Sequence, residues 1–346
     1  MNNESENARK TITVNPVSRR EFFQSAALGA GAIVAGSALW SGLPAAAAPP
    51  AAKIIPPETL TKTLYESLTP AQKEAVCMAW DNPRRTLIQA NWGITKKPIA
   101  QVFNTDQKEM IQGILRGVTT EEWYPKIQEQ MQNDAAGLDN YYVALFGDPK
   151  QEKFEWVLTG RHVTLRADGH SLGAAAFGGP IFYGHAPKET EDPNHPGNIY
   201  WKQAQQANEV FKALDGKQRD IALLEKAPNE SAVKLQGAKG VFPGVAIGDL
   251  SHDQKALVQK TMQALLSPYR PSDAKEVMRD IAANGGLDKI HLSFYKQDDL
   301  GHDGVWDIWR LEGPALVWHF RGAPHVHTWV NIAKDAATCP THTDGA

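Results

Sequence analysis

Period-two hydrophobic alternation comes in clusters along this chain, not singly between helices, and this constrains the fold more than any other feature. Tyr141 to Phe146, Phe154 to Leu158, His162 to Arg166 and Ala174 to Phe177 read as strands separated by Gly, Asp and Pro. Ile290 to Lys296, Val305 to Leu311, Leu316 to Phe320 and Val326 to Ile332 form a second cluster. Around them the period is helical. Thr69-Pro70 supplies an N-cap followed by proline at the first helical position, which predicts a helix to about Trp80. Asn104 or Thr105 opens a second helix that stops near Gly117, and Thr119-Thr120-Glu121-Glu122 reads as the capping box of a third, ending near Gly137. Further helices are expected at about 198–213 and 216–225, after Ser251, and from Ser272 to the Asn284-Gly285-Gly286 stop. Strands that follow strands pair with their neighbours through short turns. The expected class is therefore α+β, a mainly antiparallel β-sheet with flanking helices and a helical N-terminal part. No internal repeat is expected.

The first residues read as an address. Arg19-Arg20 precede Phe22-Phe23, an apolar stretch rich in Gly and Ala runs from Ser25 to Trp40, and Ala45 to Ala48 follow. Charged, apolar and small-residue regions in that order read as a signal peptide over residues 1–47, and the paired arginines read as a twin-arginine one, with a general secretory signal or an uncleaved anchor as the alternatives. The apolar stretch is shorter than the roughly 20 residues that a bilayer span needs. Residues 48–57, rich in Pro and Ala, read as a linker, 58–335 as a single α+β domain and 336–346 as a flexible tail. The expected partner during export is the twin-arginine translocase, and the mature chain, without a stable membrane span, is expected in the periplasm or secreted. A net charge of −3 gives no basic field to hold nucleic acid. Two cysteines, Cys77 and Cys339, cannot build a cysteine zinc module or an iron–sulfur cluster, though an oxidising compartment permits them to pair.

The histidines carry the chemistry. His325 and His327 stand at i and i+2 on an expected strand, so both imidazoles point to one face at chelating spacing. His319 lies on the preceding strand, and the short Arg321–Pro324 connection reads as a hairpin that brings it near the pair. His162 starts a distant strand. Three or four neutral imidazoles suit zinc, copper or iron; the same residues also suit a polar pocket without metal. Candidate groups behind or beside the ligands are Arg161, Glu312 and Asn331, with Tyr183 and His185 lining a pocket unless Pro180 to Pro187 is only a rigid Pro/Gly loop. Asp298 to Gly304 reads as a polar hairpin turn and lacks the spacing of a calcium loop. Gly169-His170-Ser171-Leu172-Gly173 matches G-x-S-x-G, but an elbow needs a long helix after the serine, and Gly178-Gly179-Pro180 leaves no room for one.

Several short segments together resemble the domain-of-unknown-function family 3500, a family of secreted bacterial proteins: Tyr141 to Gly147, Gly160-Arg161-His162, Pro180 to Pro187, Gly313-Pro314 and His325-Val326-His327. The resemblance spans about Trp80 to Ile332. In the family pattern two histidines follow the glycine, a glutamate stands at the position of His319 and an asparagine at that of Pro324. His162, His325 and His327 match, whereas Arg161 and His319 depart. The resemblance implies a shared polar site at the three matching histidines, and histidine for glutamate shifts it toward nitrogen-preferring metals. The expected function is that of an exported protein with a transition-metal site, a metal-dependent hydrolase or oxidoreductase. The alternatives are a non-catalytic periplasmic protein that binds a small-molecule ligand or partner, and a serine hydrolase using Ser171.

Overall fold

The computed structural model describes residues 55–151, 153–169, 173, 175–185, 199–300 and 302–338. The signal peptide, most of the linker, Ser171, Cys339 and the end of the tail lie outside the described residues, and the expectations placed on them with it.

The fold is α+β. One sheet runs through it in the order β1 (Cys77–Met78), β2 (Tyr142–Gly147), β3 (Phe154–Gly160), β4 (Val163–Ala167), β5 (Ile181–His185), β11 (Val326–Ile332), β10 (Leu316–Arg321), β9 (Ile308–Gly313), β8 (His291–Tyr295) and β6 (Leu223–Leu224). β7 (Val245–Ala246) also pairs with β8. All pairings are antiparallel except β1 with β2 and β6 with β8. Among the described residues no helix is long and apolar enough to cross a membrane.

Contrary to the expectation of no repeat, the sheet is one motif used twice, the copies meeting where β5 pairs with β11. In each copy a short capped helix, Pro70–Val76 or Gly216–Ala222, runs into a two-residue strand, β1 or β6. Two longer helices and a 3-10 turn follow, and the chain then enters an antiparallel meander at β2 or β8. Thr69 and Asn104 cap the first pair of helices, and Asp215 and Ser251 the second, each with a glutamine three residues on. In both copies those glutamines also bind each other: Gln72 Nε2 donates to Gln107 Oε1 at 2.8 Å, and Gln254 Nε2 to Gln218 Oε1 at 2.6 Å. Identity between the copies survives only in scraps, such as Asp106-Gln107-Lys108 with Asp253-Gln254-Lys255.

Register sorts the side chains onto two faces. Tyr183, Trp318 and Phe294 face the helices, where Tyr183 donates to Gln203 and Phe211 packs on Phe294. The other face carries Val157, Phe182, Val317 and Trp329 and is covered by loops. Ile88, Ile94, Val233 and Leu235 supply the apolar cover.

Three local expectations are corrected. The third helix starts at Tyr124 without a side-chain cap, because Thr119 and Thr120 are spent on Leu115, Ser267 and Pro268. The described part of 174–177 is a bridge at Ala175 and a 3-10 turn from Ala176, not a strand. Residues 181–185, within the segment read as a Pro/Gly loop, form the central strand β5. The described residues of 298–304 lie in the connection between β8 and β9, with Asp298, His302 and Gly304 at positive φ.

Candidate metal centre

His162, His325 and His327 meet at the end of the sheet where β4 and β11 begin and β5 ends. One ligand atom from each lies within 4.8 Å of the other two, and His325 Nε2 is 3.0 Å from His327 Nε2. Ligand nitrogens about 2.1 Å from a tetrahedral ion stand about 3.4 Å apart, so the donor set fits one metal with only side-chain adjustment.

Each ring arrives by a different local device. Gly160 pairs with Val163, so Arg161-His162 is a two-residue hairpin corner, and His162 sits there at φ 59°. It precedes β4 and does not start it. Two backbone bonds hold this uncommon conformation: His162 N–H to the Ala90 carbonyl at 2.9 Å and Gly184 N–H to the His162 carbonyl at 3.1 Å. Gly184 is required at that crossing, since a Cβ there would fall 2.3 Å from the Val326 carbonyl oxygen and 3.4 Å from the His162 Cβ. His327 lies on β11, opposite Arg321 of β10, in the expected hairpin. His325 stands in the turn before β11, so the pair converges through a turn and a strand, not along one strand face.

Two carboxylates that sequence reasoning missed decide the tautomers. Asp134 accepts from His162 Nδ1 at 2.9 Å and from His185 Nδ1 at 3.2 Å, and Glu230 lies 3.1 Å from His327 Nδ1. A carboxylate only accepts, so Nδ1 of both ligand rings carries the proton and Nε2 keeps its lone pair for a metal. Asp134 is buried in the last turn of helix Tyr124–Ala135, where the helix dipole opposes a negative charge; the imidazole N–H groups offset that cost. It continues the buried stripe of Ile127, Gln130 and Met131, and a carboxylate on such a stripe is the one sequence signal by which it could have been found. Glu230 sits in a polar loop, and nothing in its surroundings along the chain marks it. Its second oxygen pairs with Arg321 at 3.1 Å. Burial pulls the Glu230 carboxyl up, but the His327 bond and the Arg321 charge bring it below its usual range. Burial, followed by the neighbouring imidazoles, pushes His325 down to about 4, and burial also lowers His327. Both rings are therefore neutral, as ligands must be, around pH 7.

His319 does not join the trio. It is buried two residue pairs further in, between Arg310 and Trp329, and its Nδ1 has no hydrogen-bond partner among the described residues. Arg161 is exposed, and its carbonyl accepts from the Tyr141 hydroxyl at 3.0 Å. His185 reaches the site through Asp134. Tyr183 lies on the opposite face, in the helix-packed core. Glu312 and Asn331 share the trio's face but bind the covering loop, Glu312 through Gln236 at 3.0 Å and Asn331 through the Val233 carbonyl at 3.0 Å.

His319 gives a prediction about pH. Burial, then the Arg310 charge, pushes its pKa down to about 3, against an ordinary 6.5. Protonation thus favours the unfolded chain. The stability this neutral ring secures is complete above pH 6.5 and is lost as pH falls toward 3, by about 1.4 kcal/mol per pH unit. Urea midpoints at pH 7 and pH 5 should differ less in His319→Gln than in the wild type; equal differences would contradict the assignment.

A family model described as a protein of unknown function (DUF3500) matches residues 51–336. No curated protein and no solved structure matches the chain.

Proposed function

Because the chain belongs to the DUF3500 family, whose description carries no activity, we propose from the site itself that this is an exported metal-dependent enzyme, acting as a hydrolase with one transition-metal ion held by His162, His325 and His327. The observation that carries the reading is the pair of carboxylates behind two of the three rings, which hold Nε2 of His162 and His327 unprotonated and aimed inward. Such carboxylate–imidazole pairs are the usual supports of ligating histidines.

The donor set favours zinc. It is all nitrogen, without the carboxylate of the two-histidine iron sites or the thiolate of blue-copper sites. Three protein ligands leave a fourth position for substrate or water, and zinc in such a set activates water near neutral pH. Copper in the same nitrogens would make the protein an oxidoreductase. The chain's own residues fix the rings and their protons: Asp134 and Glu230 orient, Gly184 leaves room for His162, and Arg321 keeps Glu230 ionised. The Arg19-Arg20 leader supports export of the folded, loaded protein through the twin-arginine translocase to the periplasm or beyond.

Elemental analysis of the purified mature protein tests this. One transition-metal ion per chain is expected, lost in His325→Ala/His327→Ala and retained in His319→Ala. Loading should raise stability by about 2.7 kcal/mol at a free metal concentration one hundred times Kd. Metal-free protein whose melting is indifferent to chelator and to added zinc or copper would overturn the proposal and leave a non-catalytic binding protein.

A further inference from the structure

A second cleft, of about 600 Å³, opens on the loop-covered face between the 224–243 segment and strands β8 and β9. That volume lies within the range of small-molecule sites. It is set apart from the trio. Arg310, in its lining, is two strands across and two residues along from His327, roughly 12 Å by sheet spacings.

The lining is unbalanced in charge. Arg310 is 3% exposed, yet among the described residues its charge is met by a single carboxylate, Glu312, at 3.2 Å from Nε, and Glu312 also accepts from Gln236. Arg310 Nη2 donates to the Ala232 carbonyl, and Nε, though close to Glu312, makes no hydrogen bond among the described residues. Burial accordingly lowers the guanidinium's pKa. Lys226 and Lys234 line the same cleft, are exposed, and form no ion pair among the described residues. Three cations thus face one anion. The rest of the lining is largely apolar, including Leu224, Pro228, Pro243 and the Tyr295 ring.

We infer that this cleft binds a small carboxylate with an apolar body: the carboxylate pairs with Arg310 at the floor and the rim lysines, and its hydrocarbon part lies against Pro228, Pro243 and Tyr295. A guanidinium offers a fork that suits a carboxylate or a phosphate. The adjacent Glu312 and the apolar walls favour the singly charged, partly apolar ligand. The inference stands whether or not the trio holds a metal.

The test uses hexanoate and benzoate as probes, with hexanamide and benzamide as uncharged controls, read by ligand-observed NMR and thermal shift on the mature protein. The carboxylates should bind with millimolar or better Kd and the amides should not. Lys226→Gln/Lys234→Gln, at exposed positions that leave the core intact, should weaken hexanoate about tenfold, and Arg310→Lys should weaken it further. Binding should persist with chelator present and in His325→Ala/His327→Ala. Failure of both carboxylates to bind would overturn the inference, as would equal binding of the amides or wild-type affinity in the lysine variant. Loss of binding on chelation would overturn it too, by moving the ligand to the trio.

Discussion

Asp134→Asn should lower the affinity of the trio for zinc by about ten- to a hundredfold while leaving the fold in place. The two side chains have nearly the same shape, so packing against Gln130 and the sheet end is kept. The hydrogen-bond inventory is not. The carboxylate accepts from both His162 and His185. An amide has one oxygen for those two rings, and its NH2 must face the other. If the NH2 faces His162, Nδ1 becomes the acceptor, the proton moves to Nε2, and the ligating lone pair is lost. If the oxygen faces His162, the ring keeps its tautomer without the negative charge that strengthens it as a donor. Both outcomes weaken the metal, the first by more. Competition against a chromophoric chelator measures the loss, and far-ultraviolet circular dichroism checks the fold. Glu230→Gln should act in the same direction through His327. Wild-type zinc affinity in Asp134→Asn would show that the carboxylate does not support a ligand.

Much of the arrangement was legible in the sequence, and the misses share a cause. The α+β class followed from clustered strands, because neighbouring period-two segments pair locally. The H-x-H spacing pointed to two rings that do converge, but not along one strand face, since His325 precedes the strand and reaches His327 through the turn. β5 was hidden by its punctuation. Pro180 and Gly184 look like loop residues, yet Gly184 is there because the Val326 carbonyl and His162 crowd its position. Thr119-Thr120 offered a capping box that tertiary bonds to 267–268 pre-empted. His319 followed the trio in spacing but not in depth: it lies two residues inward along β10 from the position opposite His327, where the same face is fully buried. Asp134 and Glu230 lie 28 and 97 residues from the histidines they orient, and no local pattern encodes a contact across such gaps.

The duplicated architecture explains where the centre lies. His162, His185 and Asp134 come from the first copy, His325 and His327 from the second, and Glu230 from the second copy's covering loop. The β5–β11 pairing joins the copies, so the site exists only when both are folded and docked. At the position in the second copy that corresponds to the His162 corner, the chain reads Gly313-Pro314-Ala315, so the pseudo-equivalent place has no imidazole at that corner. The duplication supplied the scaffold twice and this histidine corner once.

Glu155→Ala should be the most destabilising single substitution among the charged residues considered, costing about 3–5 kcal/mol. Its carboxylate is fully buried on β3 between two guanidiniums, Arg85 at 3.0 Å and Arg166, which it contacts closely through the other oxygen. Removing it leaves two buried cations without a counter-charge, the costly way to break such a network. Arg166 further donates to the carbonyls of Pro180 at 2.6 Å and Leu87 at 3.1 Å, so the carboxylate indirectly fixes the entry to β5 and the loop whose Ala90 carbonyl holds His162. Against a total stability on the order of 5–15 kcal/mol, such a loss should shift the urea midpoint far down with little change in slope. Lys212→Ala, which breaks an exposed pair with Glu209, should cost about 1 kcal/mol or less. The two main variants should therefore dissociate the properties they probe. Glu155→Ala, studied where it is still folded, should bind zinc within a few-fold of wild type, because no metal-facing group is altered. Asp134→Asn should unfold near the wild-type midpoint of the metal-free protein yet lose the metal. A Glu155→Ala protein that loses less than 1 kcal/mol would mean that the two arginines find water or other acceptors in its place, and the buried network would then not be what holds this end of the sheet.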